Sequence, residues 1–443
     1  MEKIIETEED QSRGFSRRDF VKYALTASAL SIPALTRANA GIYQSIKELN
    51  QKYVQDESPD GAYWDTVRRQ YMFQDGIIMM NNGTVGPMPK PVFNTLIREF
   101  KIQATNPFDV YNYQPIQGER VRKKLAEFIN ADPAEVAITR NTTEGINFVA
   151  NGLDLKEGDE IILSTMEHPG GTHPWNLKAE RSGIKIEWVP IGLPPKSIDE
   201  FVSGFEKAIT PKTKVISISH TVFISGLISP LKELCKMAHE KGILVLADSA
   251  HGIGMLDLDM KEMDIDFFAS SPYKWLGAPT GVGVFYVKKE LQEKLWPTLA
   301  TGGWNTYKDA RKYECVGQRA EALIVALGEA VDFQTYIGKD RIERRIKTLA
   351  GYFKQELKKI PGVRLHTSED PYISGGLTAF SVEGIDPEKI VEYVWDKYNI
   401  IVRPIGSKDK GTYGVRVSTH IFIAFKHVDL LLEGIHHLVK HGA

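Results

Sequence analysis

Short runs of mostly apolar residues recur along the middle of the chain, separated by amphipathic segments with helical periodicity. These runs predict strands at residues 136–139, 160–164, 184–189, 214–219, 243–247, 266–269 and 281–287. Strands that alternate with helices are typical of an α/β fold with a mainly parallel sheet covered on both faces. Because ligands bind at the carboxyl ends of the strands in such a sheet, the residues that follow each strand are the first candidates for a site.

The pattern changes after about residue 318. Helical stretches and short strands then alternate irregularly, with helices at 318–336, 340–359, near 387–397 and from 427, and strands at 377–382, 400–403 and 414–418. Before the sheet, residues 41–74 have a helical, polar pattern, and residues 77–80 form a short apolar run. We therefore predict an N-terminal arm or part of a small domain at 41–89, a large domain at 90–305 and a small α+β C-terminal domain at 306–443.

The first forty residues have the pattern of an export signal. The run S-R-R-D-F-V-K at residues 16–22 is typical of a twin-arginine motif, and an uncharged apolar run at 23–35 and the sequence Ala38-Asn39-Ala40 follow it. The apolar run is too short to cross a bilayer, which disfavours a stable membrane anchor. We expect residues 1–40 to be a signal peptide read by the twin-arginine translocation machinery, and the mature protein to be periplasmic or extracellular. The alternative is a chance pair of arginines in a disordered tail.

Composition excludes several classes of protein. The 443 residues are 42% hydrophobic and 25% charged, which is ordinary for a globular protein. A net charge of −2 gives no indication of nucleic-acid binding. The two cysteines, Cys235 and Cys315, are too few for a disulfide framework, and no cluster typical of a metal site surrounds either of them.

Two residues at the ends of predicted strands indicate a specific chemistry. Lys274 lies in S-P-Y-K-W-L-G at residues 271–277, and Asp248 closes the strand at 243–247. A lysine held among aromatic and small residues can form a Schiff base, and a carboxylate at the end of a nearby strand can pair with a pyridinium nitrogen. Together they predict pyridoxal 5'-phosphate (PLP) as the cofactor. Taken singly, Asp248 is better interpreted as a helix N-cap, and an interface residue is an alternative interpretation of Lys274.

Two further segments allow more than one interpretation. Residues 139–147 join a strand to a helix, and the helix amides with the hydroxyls of Thr142 and Thr143 would form a phosphate cradle. Asn141 and Glu144 also have the spacing of a capping box, so an ordinary helix start explains the segment equally well. His168 follows another strand, where it would either lie flat on a pyridine ring or be a plain loop histidine.

The order of these motifs resembles that of the class V aminotransferase superfamily of PLP-dependent enzymes, and within it the isopenicillin-N-epimerase-like branch. The resemblance covers about residues 81–287, and less closely extends to 430. It rests on N-N-G-T-x-G at 81–86, T-R-N-T-T-E-G at 139–145, E-H at 167–168, D-x-x-H at 248–251, S-x-Y-K at 271–274 and V-R-V-S at 415–418. It implies the fold type I of PLP-dependent transferases, with a mainly parallel sheet in the large domain and a smaller α+β C-terminal domain.

The resemblance also implies roles for single residues. Lys274 would be the catalytic residue that forms the Schiff base, and Asp248 would pair with the pyridinium nitrogen. Further cofactor contacts would come from Thr142, Thr143, His168, His251, Ser271, Tyr273 and Gln318. Asn82 and Arg416 would bind the substrate, because a planar guanidinium suits a carboxylate. A homodimer with the active site at its interface is implied as well, and no metal is expected.

Three positions depart from the pattern of cysteine desulfurases. No cysteine occurs from residue 316 to 443, where those enzymes carry their nucleophile. Gln318 replaces a threonine that reaches the phosphate in the partner subunit, and an amide can donate a hydrogen bond in its place. Phe223 stands where desulfurases have an asparagine, which suggests a more apolar pocket.

These observations predict a PLP-dependent enzyme that acts at the Cα of an amino acid through Lys274, as an aminotransferase or an epimerase. Epimerisation would use a second acid, with Tyr111, Tyr113, His168 and His173 as candidates. One alternative is a lyase for cysteine or another β-substituted amino acid. Another is an exported, non-catalytic binding protein that keeps the fold. A dinucleotide-dependent dehydrogenase is disfavoured because no G-x-G-x-x-G run occurs.

Overall fold

The computed structural model describes residues 33–53, 61–107, 114–195, 197–406 and 413–442. The predicted twin-arginine motif, most of the apolar run after it, Tyr111 and Tyr113 lie outside the described residues. The chain has an α/β fold with a mainly parallel seven-stranded sheet, as predicted. Among the described residues, no helix combines the length and the apolar character needed to cross a membrane.

The N-terminal part is helical and packs on the rest of the protein. Its elements are α1 (Pro33–Lys52), α2 (Ala62–Arg68), β1 (Ile78–Met79), α3 (Lys90–Thr105), a π-helical turn (Gln114–Gly118) and α4 (Glu119–Phe128). Ile46 of α1 and Tyr63 of α2 are buried, so the segment predicted as a polar arm has an apolar side that joins the core.

The large sheet contains every strand predicted between residues 136 and 287. It consists of β2 (Val136–Thr139), β3 (Glu160–Ser164), β4 (Lys185–Val189), β5 (Thr213–Ser219), β6 (Leu244–Asp248), β7 (Phe267–Ser270) and β8 (Gly283–Val287). Their order is β2-β8-β7-β6-β5-β3-β4. Six strands run in one direction, and β8 runs in the opposite direction. The carboxyl ends of the other strands therefore meet at one edge of the sheet. Asp248 is the last residue of β6 and lies on that edge.

Helices cover both faces of this sheet. They are α5 (Thr142–Gly152), α6 (Pro169–Ser182), α7 (Ile198–Ala208), α8 (Leu231–His239) and α9 (Met260–Met263), with short 3-10 segments at Pro133–Glu135, Lys289–Lys294 and Ala310–Glu314. Ile161 and Leu163 of β3 pack in the apolar cluster that contains Trp175 of α6. Ile162 packs in the opposite cluster, which contains Leu234 of α8. Because consecutive side chains leave a strand on opposite faces, a strand buried on both sides is apolar throughout.

The C-terminal part is built around a second, antiparallel sheet. Its elements are α10 (Glu321–Ile337), α11 (Lys339–Leu357), β9 (Val363–Leu365), β10 (Leu377–Val382), α12 (Pro387–Tyr398), β11 (Ile400–Ile401), β12 (Arg403–Ile405), β13 (Gly414–Ser418) and α13 (Phe425–His441). The strand order is β12-β13-β10-β9. The domain boundaries at 89 and 305 stay a prediction.

Two details of the second sheet differ from the prediction. The strand predicted at 400–403 is divided, because Ile400 and Ile401 pair with β1 while Arg403 turns to pair with β13. The three-residue strand β9 was not predicted, since V-R-L is too short to give a recognisable alternation.

Candidate active site

One cavity at the carboxyl edge of the large sheet collects most of the predicted cofactor residues. Its lining includes Thr142, Thr143, His168, Asp248, His251, Ser271, Tyr273 and Lys274. These side chains come from the loops and helix starts that follow β2, β3, β6 and β7. Residues separated by up to 132 positions are thus brought together by the parallel arrangement of the strands.

The charges of Lys274 and Asp248 interact in this cavity, and each shifts the pKa of the other. Burial lowers the pKa of Lys274 to about 8, while the charge of Asp248 acts in the opposite direction. Burial raises the pKa of Asp248, against a hydrogen bond of 3.1 Å that the Ala250 N–H donates to its Oδ1 and against the charge of Lys274. The other oxygen, Oδ2, faces Gly171, where a Cβ would come within 3.0 Å of it. The amine and the carboxylate are therefore both held out of water.

Hydroxyls line the start of α5. The Thr142 and Ser271 hydroxyl oxygens are 2.7 Å apart, and the Thr142 N–H donates to Ser271 Oγ at 3.2 Å. Asn141 is the N-cap, since its Oδ1 accepts from the Glu144 N–H at 3.0 Å. The Glu144 carboxylate accepts from the Arg140 N–H instead of the Asn141 N–H, so only half of the predicted capping box is formed. The segment is a capped helix start and at the same time a wall of the cavity.

His168 caps α6 at the mouth of the cavity. Its Nδ1 accepts a hydrogen bond of 3.0 Å from the Gly170 N–H, so the residue is the N-cap of α6. Its ring meets Phe223 edge-on, with ring centroids 4.9 Å apart. Burial, followed by the charges of Lys274 and Arg403, lowers the pKa of His168. Both effects disfavour the protonated imidazole.

The predicted substrate residues lie beside this cavity, on the second sheet and the loop after β1. Arg416 is 1% exposed, and its Nη1 donates to the Phe223 carbonyl at 2.9 Å. Its Nη2 donates to Asn81 Oδ1 and to Thr84 Oγ1, each at 3.1 Å, while its Nε has no partner among the described residues. Burial, followed by the charge of Arg403, lowers the pKa of Arg416 to about 9. The guanidinium is held by neutral groups and keeps its charge available.

Asn82 is fully buried, and neither atom of its side-chain amide has a hydrogen-bond partner in the described part of the chain. A buried amide with nothing to bond is costly unless a ligand completes it. The same loop packs closely on the lysine segment, because the Gly86 N–H donates to the Tyr273 carbonyl at 2.9 Å. Asn82 is thereby fixed next to both the lysine loop and the second sheet.

Gln318 lies apart from these residues. It lines a separate cavity with Arg140, Glu144 and Arg319, on the outer side of the α5 start. Its predicted contact with a partner subunit's cofactor stays a prediction.

Two residues of the site were not predicted. Glu167 accepts hydrogen bonds from the Ser164 hydroxyl at 2.5 Å and from the Ser219 N–H and hydroxyl at 2.7 and 2.6 Å. Burial, with a smaller effect of the Asp248 charge, raises its pKa to about 7. The Glu-His pair after β3 was the available signal, and it had been interpreted only through His168. The second residue is Arg403, whose charge contributes to the lowered pKa of Arg416. The sequence around it gave no signal, because Arg403 comes close to Arg416 only through the pairing of β12 with β13.

The sequence matches one protein family and resembles several known enzymes. The family model Aminotransferase class-V matches residues 86–431. The isopenicillin N epimerase of Amycolatopsis lactamdurans is 30% identical over 396 residues, which cover 85% of this chain and 99% of that protein. A probable cysteine desulfurase of Halalkalibacterium halodurans is 32% identical over 337 residues, covering 72% of this chain and 81% of that protein.

Solved structures give the same result. The structure of the cysteine desulfurase CsdA from Escherichia coli has a TM-score of 0.76 and 26% identity, covering 86% of this chain and 99% of that one. A lysine-to-alanine mutant of C-DES, with glycine covalently linked to its PLP cofactor, has a TM-score of 0.75 and 25% identity, covering 83% of this chain and 98% of that one.

Proposed function

The chain belongs to the class V aminotransferase family of PLP-dependent enzymes, and on this premise we propose that it breaks a bond to the Cα of an amino acid. The observation that carries the proposal is the juxtaposition of Lys274 and Asp248 in one cavity, both withdrawn from water. When bound, PLP supplies an electron sink for the negative charge that develops on Cα.

Three features of the cavity fit this cofactor. The capped start of α5 with the hydroxyls of Thr142, Thr143 and Ser271 offers donors for a phosphate. The buried carboxylate of Asp248 lacks a guanidinium or histidine partner among the described residues and suits a protonated ring nitrogen. Gly170 and Gly171 let the start of α6 approach the cavity wall closely, because a Cβ there would stand 2.8 Å from Thr143 Oγ1 and 3.0 Å from Asp248 Oδ2.

Each residue then has a definite task. Lys274 would hold the cofactor, and its free amine would move the Cα proton, since burial lowers its pKa to about 8 and an amine with a pKa near the working pH is an effective base. Asp248 would keep the ring nitrogen of the cofactor protonated, and His168 would cover the ring. Arg416 binds the α-carboxylate, and the buried amide of Asn82 completes its hydrogen bonds on the same substrate.

Aminotransfer and epimerisation both start from this proton transfer. A lyase for cysteine or another β-substituted amino acid is the second candidate, supported by the similarity to cysteine desulfurases. Persulfide-forming desulfuration is disfavoured, because the sequence has no cysteine between residues 316 and 443.

Export and dimerisation complete the proposal. The S-R-R-D-F-V-K run supports translocation by the twin-arginine machinery to the periplasm or beyond.

Homodimerisation is proposed from the family resemblance. Light scattering on the PLP-loaded protein tests it, and a monomer that retains the cofactor and the activity would contradict it.

An absorption spectrum of the purified protein tests the central assignment. We expect a visible band that borohydride removes, with the label on the peptide that contains Lys274. A Lys274→Ala variant should lose the band, whereas Lys236→Ala, an exposed lysine on α8, should keep it. Amino-acid panels scored for keto acid, D-isomer and released sulfide then distinguish the reactions. A protein that stays colourless after addition of PLP would favour the non-catalytic binding protein.

A further inference from the structure

Two arginines, not one, border the substrate side of the cavity. Strands β12 and β13 are antiparallel, and their register places Arg403 directly opposite Arg416. Residues opposite each other on adjacent strands carry their side chains on the same face of the sheet. The two guanidinium groups therefore lie on the same face of the second sheet.

The two side chains converge on one oxygen atom. Arg403 Nη1 donates to Thr84 Oγ1 at 3.2 Å, and Arg416 Nη2 donates to the same oxygen at 3.1 Å. The two cationic groups are thus no farther apart than two hydrogen-bond lengths. A shared neutral hydroxyl does nothing to offset the repulsion between two positive charges.

No carboxylate in the described part of the chain neutralises this pair. Within the described ranges, neither Arg403 nor Arg416 forms an ion pair with an aspartate or a glutamate. The charge of Arg403 acts on the interior of the site, because it contributes to the lowered pKa of Arg416 and to that of Lys274. Uncompensated cations held together at the edge of a ligand cavity indicate that the ligand brings the negative charge.

The two arginines differ in depth, which separates their tasks. Arg416 is 1% exposed and bonds to Asn81 of the loop after β1, whereas Arg403 is exposed and bonds only to the exposed Thr84 among the described residues. One carboxylate at Arg416 would satisfy the inner guanidinium. The outer guanidinium would remain free for a second anionic group on the same ligand.

We propose that the substrate is an amino acid with a second anionic group in its side chain, a carboxylate or a sulfinate, and that Arg403 binds this group. The inference rests on the proposed function at the same site and specifies its substrate class. Arg403 then acts as a specificity-determining residue. Arg403 should increase the binding affinity only for amino acids with an acidic side chain, because a neutral isostere carries no charge for the guanidinium to bind.

Binding by the PLP-loaded full-length protein tests this inference. The change in the visible spectrum is titrated with L-glutamate, L-aspartate and L-cysteine sulfinate, and with their neutral counterparts L-glutamine and L-asparagine. We expect at least one acidic amino acid to bind more tightly than its neutral counterpart. Arg403→Ala should weaken that binding by about tenfold and change the neutral ligand less than about twofold.

Arg364→Ala is the matched control, since this exposed arginine lies on β9 of the same sheet. It should leave both titrations unchanged, and Arg403→Lys should retain part of the preference. Equal weakening of acidic and neutral ligands by Arg403→Ala would overturn the inference, because it would mean that both arginines clamp the α-carboxylate. Wild-type protein that prefers neutral amino acids would overturn it as well, yet leave the proposed function intact. A protein without a Lys274-dependent band would overturn both.

Discussion

The indole N–H of Trp275 donates a hydrogen bond of 3.1 Å to Nδ1 of His251. An indole nitrogen is only a donor, so Nδ1 of His251 carries no proton, and burial holds the pKa of this ring well below its usual value. The single proton of the neutral imidazole is therefore on Nε2. The residue that follows the lysine thus fixes the tautomer of a histidine in the cavity.

Replacing Trp275 by phenylalanine should release this constraint. An aromatic ring is kept, but Nδ1 of His251 loses its donor, and we expect the unfolding free energy to fall by about 1–3 kcal/mol for this hydrogen bond, with a further loss because phenyl is smaller than the buried indole. Nitrogen-15 NMR of histidine-labelled protein should show His251 as the pure Nε2–H tautomer in the wild type and as a mixture in the variant. Trp395→Phe, at a residue 43% exposed, is the control. An unchanged tautomer in Trp275→Phe would contradict the assignment.

The depressed pKa of Lys274 predicts a pH dependence of stability for the cofactor-free protein. Its pKa is about 8 in the folded protein, against an unperturbed 10.5, so between these values the unfolded chain binds more protons than the folded one. The unfolding free energy contributed by this residue therefore rises from about pH 8 to about pH 10.5. The gain is at most ~3 kcal/mol.

Urea unfolding of the wild type and of Lys274→Met measures this gain. Below pH 8 the methionine variant should be the more stable of the two, because it has no buried charge. Its advantage should shrink as the pH rises toward 10.5. Equal slopes for both proteins would show that the amine is not buried in the folded state.

The contact of Gly86 with Lys274 predicts a severe steric effect. A Cβ at Gly86 would stand 2.1 Å from the carbonyl oxygen of Lys274, although the backbone conformation there is not one that requires glycine. Gly86→Ala should displace the lysine loop and cost about 1–3 kcal/mol. The visible band and the activity should fall with it. Gly302→Ala, where a Cβ meets nothing within 4 Å, should leave stability and spectrum unchanged.

The buried hydrogen bonds of Asn39 predict that the start of α1 stabilises the fold. Its Nδ2 donates to the Pro91 carbonyl at 3.1 Å, to Thr95 Oγ1 at 3.3 Å and to Glu329 Oε1 at 3.2 Å, from a buried position on α1. Asn39→Ala should cost about 1–3 kcal/mol, because buried polar groups lose their partner. Gln44→Ala, exposed on the same helix, should cost little.

Removal of residues 1–40 should destabilise the protein as much as Asn39→Ala, since the same hydrogen bonds are lost. Thermal melts of the full chain and of residues 41–443 make the comparison, and intact mass of exported protein gives the natural start. Equal melting temperatures for the two chains would show that Asn39 does not contribute to the fold.

Local sequence was sufficient for the large sheet and for most of the cavity. Strands buried on both faces are continuous apolar runs, and the loops after them contain Thr142, Asp248 and Lys274 at positions that the parallel topology brings to one edge. The fold class was confirmed for this reason.

Tertiary structure alone decided what depends on pairing between distant segments. Arg403 joins Arg416 only because β12 pairs with β13 in one register, and Asn39 is buried only because α1 packs against α3 and α10. The Trp275–His251 hydrogen bond likewise joins two loops. A local pattern reports which residues are apolar or turn-forming, whereas a hydrogen bond or a shared charge depends on distances that only the folded chain sets.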